Sequence, residues 1–202
     1  MIVTVGIDPG TTSGVACWAD GKLVYADSVR APGYASRPRS VALKRVFLAS
    51  GLDLGPQGWP ARDSFRFITE DQFLGGGVST KLPFKVQLQQ LRKQAGWFRS
   101  SSSVVGNAAV WRCVADQLGG VILEPVAPQT WRAAWGISPK HPDKAAAAVK
   151  LVSDRLGKTV DEHTAEAVLL GLHAHVKRLW ADKNVDTLFE PGHLAHLWKG
   201  TR

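Results

Sequence analysis

The chain has 202 residues, 45% hydrophobic and 21% charged. That is an ordinary globular composition, which excludes a disordered or collagen-like polymer and fits one domain with appendages better than a two-lobed enzyme. Lys and Arg number 25 against 17 Asp and Glu, for a formal charge of +8 and a pI near 9.8, a balance that favours a polyanionic partner, nucleic acid first. Only Cys17 and Cys113 occur, far apart, so neither a disulfide framework nor a cysteine zinc site is indicated and an intracellular protein is expected. No basic-then-apolar leader opens the sequence, and its longest apolar stretches fall far short of the ~20 residues that span a bilayer, so a soluble, cytoplasmic protein is expected.

In chain order, Ile2 to Asp8 is a β-branched run closed by Pro9-Gly10, a strand that displays Asp8 at its tip. Ser13–Trp18 and Lys22–Val29 flank Asp20-Gly21, a strong hairpin signal, so the chain should open as an antiparallel meander. The Gly/Pro-rich stretch from Arg30 to Arg62 holds one approximate amphipathic pattern, about Ser40 to Ser50. Ser64 to Glu70 alternates polar and aromatic residues as a strand does, again with an acid at its C-terminal end. Gly75-Gly76-Gly77 reads as a loop. Helical spacing follows over Lys85–Arg99 and Ser103–Leu118, stopped by Gly119-Gly120. Val121–Val126 suits a buried strand and Pro128–Trp135 a short helix with Pro in its first turn. Pro142-Asp143 opens a helix to about Leu156, and Asp161 N-caps a last long helix to about Trp180. Residues 1–181 are expected to form the folded domain and 182–202 a polar tail. The element order implies an α/β mixed sheet.

Two carboxylates at neighbouring strand ends, Asp8 and Glu70, can be brought together in one sheet. His163 and Glu166, i and i+3 on the last helix, point to one side of it. Such an oxygen-rich set suits Mg²⁺ or Mn²⁺, and a pair of such ions can activate water and stabilise the leaving oxygen of a phosphodiester. Taken singly, each residue also has a plainer reading: Asp8 as a turn former, Glu70 as a solvated strand end, His163 and Glu166 as helix surface. Between Asp71 and Asp116 there is no acid, whereas Lys81, Lys85, Arg92, Lys93, Arg99 and Arg112 are all basic and interleaved with Phe84, Trp97 and Phe98. That pattern suits phosphate neutralisation with base stacking.

Gly6-Ile7-Asp8-Pro9-Gly10-Thr11-Thr12-Ser13-Gly14, then Glu70-Asp71-Gln72-Phe73, then His163-Thr164-Ala165-Glu166-Ala167 resemble, in order and spacing, the three acidic motifs of the RuvC family of Holliday junction resolvases. Val126 to Arg132, with Gly136 and Asp143-Lys144, resembles the segment that precedes the last acidic helix in these proteins, especially phage-type members. The resemblance runs from Ile2 to about Leu172. It implies a ribonuclease H-like mixed five-stranded sheet flanked by helices, a homodimer, and cleavage of four-way DNA junctions by paired symmetric nicks with two divalent ions, in a bacterial or phage-infected cell. Carried over by position, Asp8, Glu70, His163 and Glu166 are the catalytic and metal-binding residues. Phe73 matches the aromatic that stacks on an unpaired base, and Arg132 and Lys144 fall near the basic residues beside the site. Where the family usually has Asp-x-x-Asp, this chain has His163 and Glu166, which leaves Asp161 and Glu162 as rival ligands, although capping and the helix dipole also account for them.

Other readings use the same residues. Asp8-Pro9-Gly10-Thr11-Thr12 is similar to the first phosphate loop of sugar kinases and actin-like ATPases, but a second lobe does not fit the length and Asp53-Leu54-Gly55 reads as a turn. A flap or branched-DNA endonuclease of the same fold, or a DNA-binding module without catalysis, would keep the basic face. His173 and His175 flank Ala174 and cannot share a helix face, which argues against a second metal site there.

Overall fold

The N-terminal run forms β1 (Val3–Asp8), the central strand of a computed structural model that describes residues 1, 3–31, 35–70, 104–138 and 140–181, with side chains to 176. Asp20 and Gly21 both take positive φ, 44° and 80°, as a tight hairpin turn demands. They join β2 (Thr12–Ala19) to β3 (Lys22–Arg30). β1 is antiparallel to β2 and parallel to β4 (Arg66–Thr69), which is parallel in turn to β5 (Val121–Ile122), giving the order β3-β2-β1-β4-β5. The expected meander and mixed five-stranded sheet are therefore present.

The helices are α1 (Ser36–Ser50), α2 (residues 104–117), α3 (Pro128–Ala134), α4 (Lys144–Leu156) and α5 (Glu162–Ala181). α1 begins four residues before the expected Ser40, because Pro38 falls in the first turn, where a missing N–H breaks no helical bond. The last predicted strand shrinks to Val121–Ile122 plus a single bridge from Val126 to Glu70, since Pro125 has no N–H to continue the ladder. Asp161 Oδ1 accepts the Thr164 N–H at 2.8 Å, as the predicted cap should, and Asp143 Oδ1 caps α4 in the same way by accepting the Ala146 N–H at 2.8 Å. The Asp53–Gly55 stretch lies in a loop closed by the Leu54–Pro60 bridge. The predicted 85–99 helix, the Gly75–Gly77 loop and the 182–202 tail lie outside the described residues. Among the described residues no helix is long and apolar enough to cross a membrane.

The pleat sorts side chains onto two faces. Val3, Val5 and Ile7 of β1 and Phe67 of β4 pack with Leu43 and Phe47 of α1 and with Trp111 and Ala115 of α2. Ile68 lies on the opposite face with Trp131 of α3, Ala148 and Val152 of α4, and Ala165, Leu169 and Leu172 of α5. Thr4 and Gly6 share that second parity, and so does Asp8. α5 sits unusually close to the sheet there. A Cβ on Gly6 would lie 2.6 Å from Ala167 O and from Gly171 Cα, and one on Gly14 only 1.8 Å from His163 O. Small residues at 6, 14 and 171 thus set the depth of the helix. A buried imidazole holds its far end: His175 Nε2 accepts the Gly21 N–H at 2.9 Å, so Nδ1 carries the proton donated to Thr4 Oγ1 at 3.0 Å.

Candidate active site

Ile7 pairs with Thr69 in the parallel β1–β4 register, so Asp8 and Glu70 are the next residues on adjacent strands, and strand parity aims both towards the α5 face. The first turns of α5 bring His163 and Glu166 onto them. His163 Nδ1 donates to Asp8 Oδ2 at 2.6 Å, a charge-assisted contact that raises the imidazole's pKa against the opposing effect of burial.

The other two acids meet α3. Pro128 sits at the first helical position and fixes where α3 starts, which presents the consecutive side chains of Trp131 and Arg132. Trp131 Nε1–H donates to Glu70 Oε1 at 3.0 Å, and Arg132 Nη2 donates to Glu166 Oε1 at 2.6 Å while lying 3.8 Å from Glu70 Oε1. The guanidinium lies over the Trp131 ring, 4.8 Å from its centroid. Glu70 and Glu166 are buried, 8% and 7% exposed. Burial first, then the Glu166 carboxylate, pushes Glu70 up to about 7, and Arg132, Asp8 and the Trp131 hydrogen bond make smaller changes. Glu166 is also raised, by burial and then by Asp8, with Arg132 opposing. Three side chains with raised pKa values, Glu70, Glu166 and His163, therefore share one corner with Asp8 and Arg132, the setting in which perturbed side chains mark functional sites.

Side chains here pair off with one another: among the described residues, no group of three or more His, Cys, Asp or Glu side chains is arranged to grip a metal ion as it stands. Arg132 occupies the space between the two glutamates instead. The donor types nonetheless fit a hard divalent cation, three carboxylates with one imidazole. Asp161 is engaged as the α5 cap and Glu162 is exposed in its first turn, and both carboxylates lie close enough to His163 to help raise its pKa.

Of the expected DNA-binding residues, Arg132 is in the cluster. Lys144 is the half-buried first residue of α4 and makes no ion pair with the acids among the described residues. Phe73, Lys81, Lys85, Arg92, Lys93 and Arg99 lie outside the described residues. Arg112, from the same basic run, lines a cleft of about 150 Å³ with Thr69, Glu70, Val105, Ala108, Ala109 and Pro125. Trp131 was not assigned a role from the sequence; its signal was that a buried indole N–H needs an acceptor. A second unassigned link runs from α2, where Trp111 Nε1–H donates to Ser13 Oγ at 2.9 Å and Ser13 Oγ–H to Gly10 O at 2.8 Å. This chain of bonds braces the turn that carries Asp8.

Thermus thermophilus RuvC is similar in structure over 89% of this chain and 97% of its own, with 18% sequence identity and a TM-score of 0.50. The chain has a RuvC-like fold. A structure of T. thermophilus RuvC in complex with Holliday junction substrate is similar over 89% of this chain and 96% of its own, at 17% identity and a TM-score of 0.49. No protein-family model matches the sequence, and no curated protein matches it significantly. In this RuvC-like, ribonuclease H-like α/β fold the acids come from the ends of two parallel strands and the first turns of the last helix.

Proposed function

We propose that the protein is a metal-dependent, structure-selective DNA endonuclease that resolves four-way junctions by paired symmetric nicks, acting as a homodimer, with residues 1–181 as its nuclease domain and 182–202 as a polar tail. The observation that carries this reading is the convergence of Asp8, Glu70, His163 and Glu166, with Arg132, at the ends of β1 and β4. The RuvC-like fold and the +8 charge support it.

Asp8, Glu70, His163 and Glu166 would hold Mg²⁺ or Mn²⁺, the imidazole favouring Mn²⁺. When bound, two such ions supply the charge that makes water acidic near neutral pH and that neutralises the leaving oxygen of a phosphodiester. Asp8, bonded to His163 Nδ1, orients the ring and leaves Nε2 as the nitrogen that meets a ligand. Trp131 fixes the Glu70 carboxylate through its N–H. Arg132 and Arg112 flank that carboxylate from α3 and α2 and give a phosphate chain two cationic contacts beside the acids. Phe73, three residues beyond Glu70, would stack on an unpaired base, and Lys144 and the basic run from Lys81 to Arg99 would extend the positive face.

Replacing Asp8 with Asn or Glu70 with Gln should reduce cleavage of a labelled four-way junction by roughly 10²–10³-fold or more, the usual scale for loss of a charge-stabilising group. Junction binding in a gel-shift assay should be unchanged or tighter, since a negative charge near phosphate is removed. A Glu70→Gln protein that cuts normally would refute the assignment of the site.

A further inference from the structure

Arg132 pairs with both Glu70 and Glu166: 2.6 Å to Glu166 Oε1 and 3.8 Å to Glu70 Oε1, through the same Nη2. Its grip is partial. The guanidinium fork matches a carboxylate or a phosphate best through two parallel bonds, yet here one nitrogen serves two carboxylates, and the buried Nε has no hydrogen-bond partner among the described residues. The side chain is 21% exposed where the two carboxylates beside it are 9% exposed. Its anchor is the flat face of Trp131, which the indole's own bond to Glu70 holds in place. A long side chain on such a platform can exchange carboxylate for phosphate without moving α3.

We propose that Arg132 is the site's own counter-ion, competing with divalent cations for Glu70 and Glu166 in the DNA-free protein and drawn off by a DNA phosphate, so that metal loading and DNA binding are coupled. The inference rests on the nuclease reading above and adds to it how the site is regulated. A cation entering between the glutamates meets the positive guanidinium within a few ångströms, where like charges repel strongly in a buried setting. A phosphate that takes the guanidinium removes that repulsion and ends the ion pairs of Arg132 with both carboxylates together. Coupling of this kind is reciprocal: DNA raises metal affinity by the factor by which metal raises DNA affinity.

The test is calorimetric titration of the DNA-free protein with Mn²⁺, comparing the natural chain with Arg132→Gln and Arg132→Lys. Arg132→Gln should bind Mn²⁺ about tenfold or more tightly than the natural chain, a scale set by removing one partly buried like charge, and Arg132→Lys should stay near the natural value. A four-way junction with non-hydrolysable central linkages should tighten Mn²⁺ binding to the natural chain and much less to Arg132→Gln. Guanidinium NMR on the natural chain reads the same event without a substitution: the restricted rotation of Arg132 should be released on adding Mg²⁺. Equal Mn²⁺ affinity in the natural chain and Arg132→Gln, or a guanidinium signal indifferent to Mg²⁺ that binds, overturns the counter-ion role while leaving a protein that cuts DNA as a nuclease. Mn²⁺ binding to neither chain overturns both readings.

Discussion

Glu70 sits where burial, two neighbouring carboxylates and one guanidinium compete, and the outcome is a carboxyl pushed up to about 7 from an ordinary 4.5. A group whose folded pKa is raised stabilises the fold below its unfolded value and loses that contribution as pH rises through the folded value. Between pH 4.5 and 7 the metal-free protein should therefore lose up to roughly 3 kcal/mol on this account. Glu70→Gln should melt higher than the natural chain at pH 8 in EDTA and show little difference at pH 4.5; the opposite ordering would mean that Arg132 outweighs burial. His175 works in the other sense. Burial lowers it from 6.5 to about 4, so its contribution is present above pH 6.5 and is lost as pH falls towards 4, again up to roughly 3 kcal/mol. In urea melts His175→Gln, which keeps a donor and an acceptor, should flatten that acid limb, and an unchanged limb would show that other groups carry it. At this scale the strand-end positions of Asp8 and Glu70 and the shared helix side of His163 and Glu166 were legible from local geometry, while choosing these four over their plainer readings took the resemblance. Trp131 as the donor to Glu70, and Arg132 as the partner of Glu166, were not legible, because which acid a side chain from α3 meets depends on how three distant segments pack.

The approach of α5 to the sheet decides whether these residues meet at all. Gly6 and Gly171 are packed backbone to backbone, and the first turn of α5 presses on Gly14. Gly171→Ala brings its new methyl to 3.1 Å from Trp18 Cδ1 and 3.2 Å from Gly6 N, an overpacking expected to cost about 1–3 kcal/mol. Gly14→Ala pushes directly on the His163 carbonyl and so moves the Asp8–His163 pair. Relative to Gly171→Ala it should lose more junction cleavage per kcal/mol of stability lost, measured by cleavage rates alongside urea melts; equal losses would show that the site tolerates the shift. The hairpin, the caps and the order of elements were readable because each has a short-range signal, such as Asp20-Gly21 or Asp161. The shortness of β5 was present in Pro125 but outvoted by the apolar run around it. Trp111, Val114 and Ala115 of α2 face the sheet, so a dimer contact through this helix would use its other side.

For the molecule as a whole, the +8 charge and an acidic site flanked by Arg112 and Arg132 create opposite fields at close range. On the proposed reading the basic residues would draw DNA from a distance with strong salt dependence, while the acids would repel the scissile phosphate until cations intervene. A homodimer would place two such sites on one branched substrate, which is the geometry paired nicks require. The most direct measurement is incubation of the purified protein with end-labelled four-way junction, flap and linear duplex DNA in Mn²⁺, Mg²⁺ or EDTA, with products sized on a denaturing gel. Symmetric nicks on the junction that need a divalent ion and spare the duplex are the expected result; tight junction binding with no cutting in either metal would contradict the account and leave a DNA-binding module.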